Sequence, residues 1–142
     1  MALVSENVYA ALFARVSAVG GLVTTSRRLR HVNDVKPAEQ PALFQAQLGQ
    51  AHQYMQGRVT FVTLGAVLYL YVRNPPSAIP GQLFNGLLDG IRAALAPDNA
   101  MTNACTLGGI VHWVRLGAID TDEGTLGEQC IARIPLEMYV PS

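Results

Sequence analysis

Apolar residues recur along the start of the chain at the spacing of one helical face. Val8, Leu12 and Val16 stand in line with Tyr9 and Phe13 beside them, and Ser5 is placed to cap the helix. Gly20-Gly21 then stops it. The run from Leu22 to Thr25 begins an extended segment, which passes into the basic stretch Arg27, Arg28, Arg30 and the turn-rich piece Asn33, Asp34, Lys36, Pro37, read together as an arm or loop. After Pro41, Ala42 to Leu48 is predicted as a short strand and the Gln-rich stretch up to Gly57 as a polar connection.

Arg58 to Arg73 gives the strongest strand signal, with Gly65 marking a bulge, bend or hairpin corner. Apolar residues occupy both parities of this strand, so something must cover each of its faces. Asn74-Pro75-Pro76 ends it. Leu83, Leu87 and Ile91, with Phe84, Leu88 and Leu95, then form the wide apolar stripe of a second helix that stops before Pro97. The last third reads as two strands, Leu107 to Leu116 and Gln129 to Val140, joined as a hairpin by the Gly- and acid-rich connection Gly117 to Glu128. Pro135 cannot donate to a ladder and suggests an edge or a bulge. The fold class predicted is α/β of the α+β type: a mixed, largely antiparallel sheet of about four or five strands packed by two amphipathic helices.

The chain has 142 residues, a length that supports one domain spanning 1–142. Half of its residues are hydrophobic and only 14% are charged, against about 25% in ordinary soluble domains. Some of the surface is therefore expected to be buried against another chain. Net charge is zero and the pI is about 6.8, which argues against a protein that coats nucleic acid or anionic lipid. The longest apolar stretch, Val59 to Val72, falls short of a membrane span, and the N-terminus lacks the pattern of a secretion signal. Cys105 and Cys130 read as reduced, buried thiols of a cytosolic chain, with a disulfide between them left open.

Charge is unevenly placed. Residues 1–73 hold seven basic and three acidic side chains, net +4, and residues 74–142 hold three basic and seven acidic, net −4. If the halves occupy different flanks, each copy presents positive charge to its neighbour's negative charge, and such heterologous contacts close rings when the rotation permits. A solvated surface and a bias toward arginine give the plainer reading.

Catalytic and ligand signatures are weak. His31, His52 and His112 lie far apart and off any zinc spacing. Asp120, Asp122, Glu123, Gly124 resembles a calcium loop only superficially, because Gly124 stands where a third oxygen ligand belongs and Ile131 where the closing glutamate does. A solvated acidic hairpin tip fits better. Gly108-Gly109 belongs to no phosphate loop, no serine sits in a nucleophile elbow, and neither cysteine lies in a known signature. Trp113, Tyr69 and Tyr71 fall on apolar strands, where packing is the default. No catalytic residue, metal ligand or cofactor is assigned. Arg27, Arg28 and Arg30 read either as a solvated loop or as a docking surface, and six of the eight glutamines cluster between Gln40 and Gln56 as a polar contact surface or a loop.

The order of elements resembles a known group. An amphipathic helix, an Arg-bearing arm and a Pro-led strand precede the strand Val67-Leu68-Tyr69-Leu70-Tyr71-Val72 and the helix segment Asn85-Gly86-Leu87-Leu88-Asp89-Gly90-Ile91; Leu107-Gly108-Gly109 and the closing strand from Ile131 to Val140 follow. This layout is similar to that of the tail terminator, or tail-completion, proteins of long-tailed bacteriophages. The resemblance implies a structural virion protein at the tail–neck junction, made in the host cytoplasm, whose copies form a ring, commonly of six. Such a ring caps the tail tube, ends its polymerisation and meets the head-side connector, while DNA passes through the lumen without sequence-specific binding. On that reading Arg27, Arg28 and Arg30 are docking candidates, and Asp120, Asp122 and Glu123 are candidates for inter-subunit or connector contacts. A head-side stopper or adaptor of the neck is the alternative within assembly proteins, and a small α/β ligand-binding domain or enzyme is the alternative outside them.

Overall fold

The sheet is organised around β3 (Arg58–Arg73), the strand with the most continuous apolar sequence. The computed structural model describes the backbone of residues 4–141 and the side chains in that span other than those of Met55, Arg58, Val59, Thr60 and Leu126. Within it, α1 spans Ser5–Val16, β1 Thr24–Ser26, β2 Ala42–Met55, α2 Pro80–Ala94, β4 Trp113–Leu116, β5 Asp120–Leu126 and β6 Gln129–Pro141. The strands form one six-stranded sheet in the order β1-β2-β3-β6-β4, with β5 also paired to β6. Only β1 and β2 are parallel; the other pairs are antiparallel. The α+β class holds, with six strands in place of four or five.

β3 has antiparallel neighbours on both sides, and its register with β6 is unbroken from Phe61 opposite Pro141 to Arg73 opposite Gln129. Its even-numbered residues Val62, Leu64, Ala66, Leu68, Leu70 and Val72 are buried in the main core, which also contains Val8, Leu12 and Val16 of α1 and Phe84, Leu87 and Ile91 of α2. Both helices thus cover one face. The other face is covered only at one end, where Val35 of the arm packs with Ala42, Phe44 and Tyr71. The arm is held there by a reciprocal pair of buried amides: Gln40 Nε2 donates to Gln129 Oε1 and Gln129 Nε2 to Gln40 Oε1, each at 2.9 Å.

Several local readings change. Val4, not Ser5, occupies the N-cap of α1, and no side-chain cap hydrogen bond is made. The Gln-rich stretch is not a connection but the second half of β2, which forms a long hairpin with β3. The hairpin turns at Gln56 and Gly57, whose φ values of 55° and 78° are the left-handed pair that a two-residue type I′ turn requires. Gly65 is no corner: β3 runs straight through it, and the irregularity lies opposite, where Leu48 and Gly49 bulge out of β2. The residues from Leu107 to His112 form a turn-rich loop, and only Trp113–Leu116 is strand.

Asp120, Asp122 and Glu123 are not a hairpin tip but part of β5, the tip being Gly127 and Glu128. Pro135 sits in an interior strand. Its carbonyl accepts from Gly117 N at 2.8 Å, so its hydrogen-bonding side faces the break where β4 ends and β5 begins. The missing N–H falls in that gap and leaves the β3 ladder intact.

Candidate interaction surface

The three arm arginines have different fates. Arg27 makes a bidentate pair with Glu6 in the first turn of α1, with Nη2 donating to Oε1 at 3.0 Å and Nη1 donating to Oε2. Arg30 makes a second fork on Glu39, at 2.9 and 3.2 Å, and also donates to the Asp34 carbonyl at 2.6 Å. These two side chains tie the arm to its own chain. Arg28 is exposed, and among the described residues its guanidinium has no ion-pair partner.

Glu39 also accepts from Lys36 N at 3.0 Å. The Arg30 fork first, then this amide, pull its carboxyl from 4.5 down to about 2. A carboxylate depressed in the folded state stabilises at pH above its unfolded value and loses that contribution as pH falls through the folded one. The arm's hold is therefore expected to weaken between pH 4.5 and about 2. A melting-temperature series on Glu39→Gln, whose acid limb in that window should be flatter than that of the parent, checks this; parallel curves would reject it.

On β5, Asp122 Oδ1 accepts from Gly124 N at 3.2 Å and Thr125 N at 3.0 Å, which shapes the bulge in that strand and holds the carboxyl below the ordinary range. Asp120 lies opposite Arg133 across β5 and β6. Glu123 lies over the first turn of α2, where a Cβ built on Gly81 would come 3.0 Å from its Oε1. None of the three acids is in an ion pair among the described residues. The arm does not stay at the β1 edge: Val35 and Lys36 line a hollow with Arg73 and Gln129, and Gln40 bonds Gln129 of β6, the strand that carries β5 on its other side.

The part of the sheet that the arm does not reach carries an aromatic cluster, from which the sequence reading singled out Trp113, as ordinary packing. Tyr139 stacks on Trp113 with centroids 5.1 Å apart, Phe61 packs against Tyr139 at 4.7 Å, and the Arg115 guanidinium lies 4.0 Å above the Trp113 ring. Phe61, Trp113 and Tyr139 are half-buried. The signal was present as alternation: Trp113 and Arg115 share one parity of β4, as Glu137 and Tyr139 do of β6.

An adjoining hollow of about 490 Å³ is lined by His112, Trp113, Arg115, Tyr139 and Cys105, with one wall from the loop around Asn103. That loop is fixed by Asp98, which accepts from Thr106 N and Thr106 Oγ1 at 2.7 Å, Gly108 N at 3.0 Å and Arg15 at 3.1 Å. Gly108 therefore serves a structural turn. No hydrogen bond joins Cys105 to His112 among the described residues, and no group of three or more His, Cys, Asp or Glu there could hold a metal ion. Cys105 and Cys130 are separate buried thiols. No helix among the described residues is long and apolar enough to cross a membrane.

No protein-family model and no curated protein matches the chain. Among solved structures, a chain of one described as the virion of native gene transfer agent (GTA) particle shares the fold with a TM-score of 0.59, covering 100% of both chains at 6% sequence identity.

Proposed function

We propose that residues 1–142 form a single tail-terminator-like domain of a structural virion protein, acting without a chemical step. The observation that supports this most is the full-length fold correspondence with a chain from a gene transfer agent virion. Low charge and sequence halves of opposite net charge agree with a chain that completes its surface against its own copies. In this reading six copies close a ring at the tail–neck junction. One ring face matches the end of the tail tube, and the opposite face, which lacks the tube's self-complementary surface, blocks addition of further tube subunits and meets the head-side connector. DNA passing through the lumen requires weak phosphate contacts, because many basic contacts would hold the duplex.

Native mass measurement and negative-stain imaging of the purified chain, with and without tail tube protein, test the proposal, together with pull-down by tube and connector proteins. Rings that retain tube protein are expected. A chain that stays single with both partners present overturns it. Capture of connector but not tube would favour a neck stopper or adaptor, and a monomer that retains a small molecule in the hollow beside His112 and Cys105 would favour a ligand-binding domain or enzyme.

A further inference from the structure

Arg15, Arg27, Arg30, Arg73 and Arg92 each meet a carboxylate of their own chain. Arg115 does not. It is exposed on β4 opposite Glu137 of β6, yet it makes no ion pair among the described residues. Its guanidinium lies instead 4.0 Å above the Trp113 ring, which is itself stacked on Tyr139 at an interplanar angle of 13°. Stacking fixes the plane of a guanidinium and leaves the N–H donors along its edge free, the geometry that receives a carboxylate with two parallel hydrogen bonds.

Two hollows border this side chain. The first, of about 490 Å³, has an apolar lining from Leu95, Pro97, Cys105 and Val114, with His112 beside them. The second, of about 330 Å³, is lined by Leu48, Gly65, Gly117 and Pro135. Apart from Glu137 in the second, no Asp or Glu lines either hollow among the described residues. The wall around Asn103 is held by the hydrogen bonds of Asp98, so the first hollow is shaped before anything enters it, and little ordering cost falls on binding.

We propose that this surface takes an acidic segment of a different protein, with a Glu or Asp carboxylate on Arg115 and the apolar side chains next to it in the two hollows. A single guanidinium among apolar walls fits one carboxylate in an apolar run; a duplex calls for a row of cations along its phosphates. A second copy of the chain is a poorer source. Five of its ten acids are in ion pairs, Asp122 accepts from two amides, and Asp34 lies in the field of Arg30. Asp120 and Glu123 stand on the same side of β6 as β4, beside the surface they would have to fill. The proposal does not depend on the ring reading.

The test uses the full chain and two capped peptides, Ser-Leu-Glu-Leu-Ser and its isostere Ser-Leu-Gln-Leu-Ser. Trp113 is the only tryptophan of the chain, so one indole N–H signal in a proton–nitrogen NMR spectrum reports on the site. The Glu peptide is expected to shift that signal saturably and to bind roughly tenfold more tightly than the Gln peptide. Arg115→Gln, at an exposed position, should melt as the parent does and bind the two peptides equally. Equal affinities for the parent, no saturable shift, or a preference that survives Arg115→Gln overturns the proposal. A short DNA duplex that displaces the Glu peptide would assign the site to phosphate, and self-association that Arg115→Gln abolishes would assign it to a second copy; either outcome also overturns it. A chain that forms no ring leaves the peptide result standing, so the two readings fail separately.

Discussion

Phe84→Ala is expected to lower the unfolding free energy by about 3–5 kcal/mol, a large share of the roughly 5–15 kcal/mol that holds a domain of this kind folded. Phe84 is 1% exposed and joins Leu87, Leu88 and Ile91 in the apolar face that α2 lays on the sheet. Truncation removes the ring's transfer free energy and leaves a cavity between α2 and the sheet that the surrounding core closes only in part. Urea unfolding with an unchanged slope and a lower midpoint is the expected readout. A change below about 1 kcal/mol, the size of an ordinary substitution, would mean that α2 contributes little to the core.

Gly65→Ala is the second large effect, and a single methyl group produces it. A Cβ at position 65 would stand 2.8 Å from the Gly49 carbonyl oxygen and 3.0 Å from Leu48 Cβ, the first being backbone that cannot rotate away. Tyr9 Oη also donates to the Gly65 carbonyl at 2.9 Å, so any shift of β3 that relieves the clash pulls on a contact with α1. Overpacking of this kind costs about 1–3 kcal/mol. Gly49→Ala is the matched control, because nothing lies within 4 Å of its added Cβ. A change within about 0.5 kcal/mol is expected there. Equal melting temperatures for the two variants would show that the bulge gives way and that the close approach is not a constraint.

What the sequence revealed divides along a physical line. α1, α2, β3 and β6 were legible because each buries a face, and burial writes its period into the apolar residues. β2 beyond Leu48 and β5 were not. Gln50 and Gln53 are exposed, so no packing selects apolar residues there, and the strand is held by backbone register with β3. β5 hides similarly behind Asp120, Asp122 and Gly124. The loop before β4 misled in the opposite sense: Leu107 and Val111 are buried, but through a turn and not a ladder.

For the candidate surface, residue types were visible and partners were not. Glu6 and Arg27 are 21 positions apart and meet only because the chain reverses after α1. Sequence could therefore nominate Arg27, Arg28 and Arg30 as a group, but only the fold separates the exposed Arg28 from the two that are tied to carboxylates. Likewise Trp113 and Tyr139 come together through the pairing of β4 with β6.

The strand order bears on how the chain is made. β6 is translated after β3, β4 and β5, yet it lies between β3 on one side and β4 and β5 on the other. Until the ribosome has delivered Gln129–Pro141, β3 exposes a bare ladder edge along an apolar strand, and the late edge strands have nothing to join. Nascent chains stalled before residue 129 should therefore be the species most prone to clump and most in need of a holding chaperone.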